Sequence, residues 1–149
     1  MGGMRIRITK SFTFEMAHAL QNYDGPCRHI HGHSYTLEVT ISGEPVIDRT
    51  SPKLGMVMDF TDLKALVKEL IIDPYDHALV LQKGYEEVIL NPQNKSQKVI
   101  QTLFQPTSEN LLIHFVEEIG FRLPSGVRLE RMLLRETATS YTEWHRSDQ

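Results

Sequence analysis

His31, Gly32 and His33 carry the clearest chemical signal in this 149-residue chain. Residues two apart on an extended strand face the same way, so both rings can aim at one point while Gly32 adds no side chain between them. A third imidazole, His18, lies upstream on what reads as a neighbouring strand. Three neutral imidazoles suit a zinc ion that keeps its fourth position open, although nickel, copper and iron also accept nitrogen. Taken singly, a histidine is usually a core or surface residue, and His29, His114 and His145 keep that reading.

Cys27, the only cysteine, stands four residues before His31. Most free cysteines are inert buried thiols. This one follows Gly25-Pro26 in a loop, beside Arg28 and the histidines, where positive charge favours the thiolate. Such a thiolate could serve as base, nucleophile or fourth zinc ligand, and the last role would close the site and make it structural. Asp76-His77 is either an exposed loop pair or a proton relay in which the acid orients the imidazole. Glu136 is either an unremarkable strand-end residue or an acceptor for the paired N–H groups of a ligand.

The elements that must position these groups read as follows. Ile6, Ile8, Phe12 and Phe14 alternate with polar residues, which predicts a strand over 5–18. At ~3.3 Å per residue that run is roughly 45 Å long, so a bend or bulge is expected near Lys10 or Ser11. Residues 20–29 read as a loop, 31–43 as a second strand, and 44–53 as a loop. Leu63, Leu66, Val67, Leu70 and Ile71 give a helical apolar face, capped by Asp59 or Thr61 and expected to stop at Pro74. Asn91 to Lys95 is loop-like. A second helix is predicted from Thr107, with Glu109 in its first turn and Leu111, Leu112, Phe115, Val116 and Ile119 on its buried face. Two strands, 127–135 and 141–145, end the chain, with a turn at 137–140. The expected class is α+β, in the order strand, strand, helix, helix, strand, strand, with an antiparallel sheet and both helices on one face. Residues 1–149 are expected to form one domain.

Composition narrows the function classes. The chain is 40% hydrophobic and 23% charged, and 16 basic against 19 acidic residues give a net charge of −3. No basic stripe points to nucleic acid. Met1 to Arg5 lacks the apolar run of a secretory signal, no segment approaches the ~20 apolar residues of a membrane helix, and a lone cysteine fits a reducing, cytoplasmic setting.

Several short motifs in order carry a resemblance: Phe14-Glu15-Met16-Ala17-His18, Cys27-x-x-x-His31-Gly32-His33, Val57-Met58-Asp59-Phe60, Asp76-His77, Pro106-Thr107-Ser108-Glu109-Asn110 and Arg135-Glu136-Thr137. Together they resemble the 6-pyruvoyl-tetrahydropterin synthase family of lyases. The three residues between Cys27 and His31 look like its bacterial carboxy-tetrahydropterin branch, which serves queuosine synthesis. The resemblance implies a tunnelling fold, with a four-stranded antiparallel sheet, two helices on one side, and trimers or stacked trimers (homohexamers) whose sites lie between subunits. It implies His18, His31 and His33 as zinc ligands, Cys27 as general base, Asp76 and His77 as relay, in that case for a neighbouring chain's Cys27, and Glu136 as anchor of the pterin's amino-pyrimidine edge. The implied substrate is 7,8-dihydroneopterin triphosphate, cleaved to 6-carboxy-5,6,7,8-tetrahydropterin, acetaldehyde and triphosphate. A pyruvoyl product from the same substrate is the nearest rival, and a non-catalytic zinc-stabilised binding module is the rival of another class. The chain departs from the family in a longer 83–105 segment and in Met16, where a small residue is expected.

Overall fold

The computed structural model describes residues 3–85 and 98–149. Its first two strands, β1 (Ile6–His18) and β2 (His31–Gly43), are long, antiparallel and paired in one unbroken register from Ile6↔Gly43 to His18↔His31. No bulge occurs near Lys10 or Ser11. The irregularity falls on the other side of β2, between Thr40 and Ile41, where β5 (Arg128–Thr137) pairs with it. The strand β6 (Ser140–His145) completes an antiparallel group of strands.

The expectation of a four-stranded antiparallel sheet in ββααββ order needs correction. Among the described residues the sheet has six strands and is mixed, in the order β4 (Val99–Thr102), β3 (Ala78–Gln82), β1, β2, β5, β6. The two further strands, β3 and β4, run parallel to β1 and to each other. The sequence of β3 hid it for a physical reason. Ala78 and Val80 join the main core while Leu79 and Leu81 are buried on the opposite face with Ala19. A strand buried on both faces shows no alternation. The loop expected at Asn91 to Lys95 lies outside the described residues.

Helix α1 (Phe60–Val67) begins at Asp59, whose carboxylate accepts from the Thr61 N–H. It does not stop before Pro74. The chain passes through a π-helical segment, Lys68–Ile72, into a short helix α2 (Asp73–Tyr75). There the Asp73 N–H reaches back to the Lys68 carbonyl. The change of hydrogen-bond step absorbs a proline that lacks a donor. Helix α3 (Ser108–Arg122) starts at Thr107, whose hydroxyl accepts from the Asn110 N–H.

Both long helices cover one face of the sheet. Leu63, Val67 and Ile71 from the first, with Leu111, Phe115 and Ile119 from α3, pack on Phe12, Phe14, Tyr35, Leu37, Val39, Met132 and Leu134. That face is set by parity: even residues of β1, odd residues of β2 and even residues of β5 lie side by side, as Phe12↔Leu37↔Leu134 shows. The same parity carries His18, His31, His33 and Glu136 onto the helix-covered face at one end of the sheet. Among the described residues no helix is long and apolar enough to cross a membrane.

Candidate metal centre

The structure brings together three of the histidines singled out in the sequence. Strand pairing sets His18 directly beside His31, and Met16 beside His33. Their ring centroids lie 4.6 to 5.3 Å apart. Among the described residues, His18, His31 and His33 form a set whose ligand atoms all lie within 4.8 Å of one another, and neither Cys27 nor Glu136 belongs to it.

Backbone carbonyls fix two of the rings. The His18 Nδ1–H donates to the Pro106 carbonyl at 2.7 Å, and the His31 Nδ1–H donates to the His29 carbonyl at 2.7 Å. A carbonyl only accepts, so each Nδ1 carries the proton and each Nε2 presents a lone pair. These two lone pairs face each other at 3.0 Å. The His33 Nε2 is buried and has no hydrogen-bond partner among the described residues. One oxygen of Glu136 approaches at 3.3 Å from His18 Nε2 and 3.4 Å from His33 Nε2. Electron-rich atoms gathered this closely need a cation. Two nitrogens on one tetrahedral zinc stand roughly 3.3 Å apart, so the donor set fits such an ion.

Burial supports the same reading. His18 is 1% exposed. Desolvation pulls its basicity below the ordinary histidine value, opposed by the Pro106 hydrogen bond. His33 is lowered too, first by desolvation and also by His31, against the raising effect of Glu136. Neutral imidazoles are the form that binds metal.

The carbonyl partners could not be read from the sequence, because Pro106 and His29 act through their main chains. The Pro106–Asn110 motif acquires a mechanical role here. Thr107 caps α3, and the Asn110 amide donates to the Gln105 carbonyl at 3.0 Å, clamping the turn that presents Pro106 to His18. Tyr35 is a second contributor that residue type and spacing do not single out. Its ring stacks on Phe14, and its hydroxyl donates to Glu136 at 3.4 Å. Burial raises its pKa well above the phenol range, aided by Glu136 and then Cys27.

Glu136 occupies the extra residue of a β-bulge, between Arg135↔Tyr141 and Thr137↔Ser140. Bulges re-aim side chains beside functional sites. Cys27 is half-buried in a 3₁₀ turn, Pro26–Arg28. Its carbonyl accepts from the Leu20 N–H at 3.0 Å, and the Tyr85 hydroxyl donates to the Arg28 carbonyl at 2.9 Å. Gly32 faces away from the rings, and a Cβ there would sit 3.5 Å from the Met16 carbonyl, an ordinary contact. Met16, large where a small residue was expected, is accommodated in the core at 3% exposure.

Asp76 and His77 touch each other, with Nδ1 3.0 Å from the Asp76 carboxylate. The same oxygen accepts from the Glu15 N–H at 2.9 Å. Within one chain the pair does not join the histidines. Met16↔Ala78 pairing sets His77 beside Glu15, on the face away from the helices. There the His77 side chain is 75% exposed and borders a cavity of about 720 Å³ that Glu15, Ser34, Lys98 and His33 also line.

Comparison with known proteins accords with this geometry. The profile of the 6-pyruvoyl tetrahydropterin synthase family matches residues 7–147. A Haemophilus influenzae protein named 6-carboxy-5,6,7,8-tetrahydropterin synthase is 34% identical over 141 residues, covering 93% of this chain and 97% of that protein. A Rickettsia felis protein of the same name is 30% identical and is covered to 99%. Among solved structures, an uncharacterized protein from Wolinella succinogenes superposes with a TM-score of 0.75 at 20% identity, covering 97% of this chain and 99% of that one. The Caenorhabditis elegans 6-pyruvoyl tetrahydropterin synthase gives 0.65 at 24% identity, covering 95% and 96%. The chain belongs to the 6-pyruvoyl tetrahydropterin synthase family, a lyase-type enzyme family.

Proposed function

We propose that this protein is a zinc-dependent lyase that converts 7,8-dihydroneopterin triphosphate and one water to 6-carboxy-5,6,7,8-tetrahydropterin, acetaldehyde and triphosphate, the queuosine-pathway reaction. Relatives carrying that name along nearly their whole length support the choice of product. The observation that carries the reading is the convergence of the His18, His31 and His33 nitrogens in a set that Cys27 does not join. A structural zinc site would recruit the thiolate as its fourth ligand. This arrangement leaves the thiol for chemistry.

In the proposed mechanism His18, His31 and His33 hold the ion, which when bound supplies a Lewis acid for the substrate's side-chain hydroxyls. Cys27 as thiolate removes a proton from the substrate side chain. Asp76 orients His77, and His77 passes the proton on. Glu136 accepts the N–H groups of the amino-pyrimidine edge beside the histidines.

His77 lies on the opposite face from the histidines of its own chain, which supports a site assembled between copies. We therefore propose a homo-oligomer, a trimer or a pair of trimers, in which one copy's Asp76 and His77 serve a neighbour's Cys27. Each copy is one domain. No nucleic-acid or membrane partner is proposed, and the protein is placed in the cytoplasm.

Incubating zinc-loaded protein with 7,8-dihydroneopterin triphosphate and assaying acetaldehyde tests the reaction. Stoichiometric acetaldehyde supports the carboxy product. Triphosphate release without acetaldehyde assigns the pyruvoyl reaction instead. Neither product from folded, zinc-loaded protein leaves the binding module.

A further inference from the structure

The turn that carries Asp76 and His77 is held by a residue from a distant part of the chain. His77 has φ +62°, a left-handed backbone conformation that a residue with a Cβ adopts only under constraint. Two of the constraints come from β1: the His77 N–H donates to the Glu15 carbonyl at 2.5 Å, and the Glu15 N–H donates to the Asp76 carboxylate at 2.9 Å. The third comes from Lys98, just ahead of β4. Its ammonium donates to the Asp73 carbonyl at 2.6 Å and to the Asp76 carbonyl at 2.9 Å. Helix ends leave such carbonyls without an intrahelical partner, and a cation satisfies them well. The Lys98 main chain is itself anchored, because its carbonyl accepts from the Leu79 N–H at 2.8 Å. Lys98 thus joins the last turn of the helix, the start of β3 and the lead into β4 at one point.

We infer that Lys98 is a positioning residue for catalysis, whose ammonium bridges the Asp73 and Asp76 carbonyls and so fixes the direction in which His77 is presented to the reacting centre. The inference rests on the proposed role of Asp76 and His77 as the relay. It gives a purpose to the end of the lengthened 83–105 segment, since that segment delivers Lys98 to the turn. Among the described residues, the hydrogen bonds of the Lys98 ammonium go to main-chain oxygen, those of Asp73 and Asp76.

The test compares Lys98→Met and Lys98→Arg with the parent and with His77→Ala, all zinc-loaded, on 7,8-dihydroneopterin triphosphate. Losing the bridge misdirects a proton-transfer group without removing it, so kcat of Lys98→Met should fall roughly tenfold to hundredfold. KM and zinc content should stay within about twofold. Lys98→Arg, which still donates to carbonyls, should keep kcat within about threefold of the parent. In the His77→Ala background Lys98→Met should slow the residual turnover no further, because the group it aims has gone. A Lys98→Met protein with parental kcat, a Lys98→Arg protein as slow as Lys98→Met, or an equal loss in the His77→Ala background would overturn the inference. If His77→Ala itself has parental activity, the relay reading falls and this inference with it. If His77→Ala is slow and Lys98→Met is not, only the role of Lys98 falls.

Discussion

The two functional regions of this molecule are built in opposite ways. The histidine end of β1 and β2 is closed. His18 is 1% exposed, its ring and that of His31 are locked by main-chain carbonyls, and α3 covers the face they share. The Asp76–His77 turn is open, with His77 three-quarters exposed on the uncovered face of the sheet. A metal centre profits from burial, since desolvation keeps its ligands neutral and a locked tautomer aims their lone pairs. A proton relay that serves another copy must instead stand at the surface until that copy arrives. On the proposed function, the contrast teaches that one chain carries a finished metal half and a relay half that a second copy completes.

The largest effect expected from breaking this contrast is loss of the closed half. His31→Ala and His33→Ala should each abolish bound zinc and turnover together, measured by metal analysis and acetaldehyde release. Cys27→Ala comes next. It should lower kcat by ~10²–10⁴-fold, the usual worth of a positioned base, while zinc content stays at one per chain. Loss of zinc in that variant would move the thiol onto the metal.

Mixing probes the open half. Cys27→Ala and His77→Ala proteins, each strongly slowed alone, should regain part of the parental activity after co-refolding, because some sites then combine an intact Cys27 with an intact His77 from a neighbour. Absence of any recovery would mean that both groups serve the same chain. A smaller effect separates the halves by pH. His18 and His33 have depressed basicity in the folded protein, so the unfolded chain binds more protons below the ordinary histidine value of 6.5. The metal-free protein should therefore lose stability as pH falls through and below that value, and the zinc-loaded protein, more stable at neutral pH, should lose stability over the same range at least as steeply, because protons compete with zinc for the imidazoles. Thermal melts at several pH values, with and without zinc, check the sign. The smallest effect is that of Thr107→Ala, which removes the α3 cap next to Pro106. It should cost about 1 kcal/mol in denaturant unfolding without changing zinc stoichiometry.

What could be read in the sequence follows the same division. The closed half was legible because alternation reveals a strand with one buried face, and alternation sets His31 and His33 on one side. Helix caps at Asp59 and Thr107 were legible for a similarly local reason. β3 was not, because Ala78 to Leu81 is buried on both faces and reads as a plain apolar run. Without β3 and β4 the sheet looked four-stranded and wholly antiparallel. Pro74 looked like a stop because a helix was assumed to keep its i→i+4 step, and the π-helical segment breaks that rule. Lys98 and Pro106 act through or upon main-chain carbonyls, which residue types do not advertise.

X-ray absorption at the zinc edge of the loaded protein tests the all-imidazole metal centre most directly. Scattering from nitrogen or oxygen alone, at ~2.0–2.1 Å, is expected. A sulfur neighbour at ~2.3 Å would put Cys27 on the metal and contradict a catalytic site.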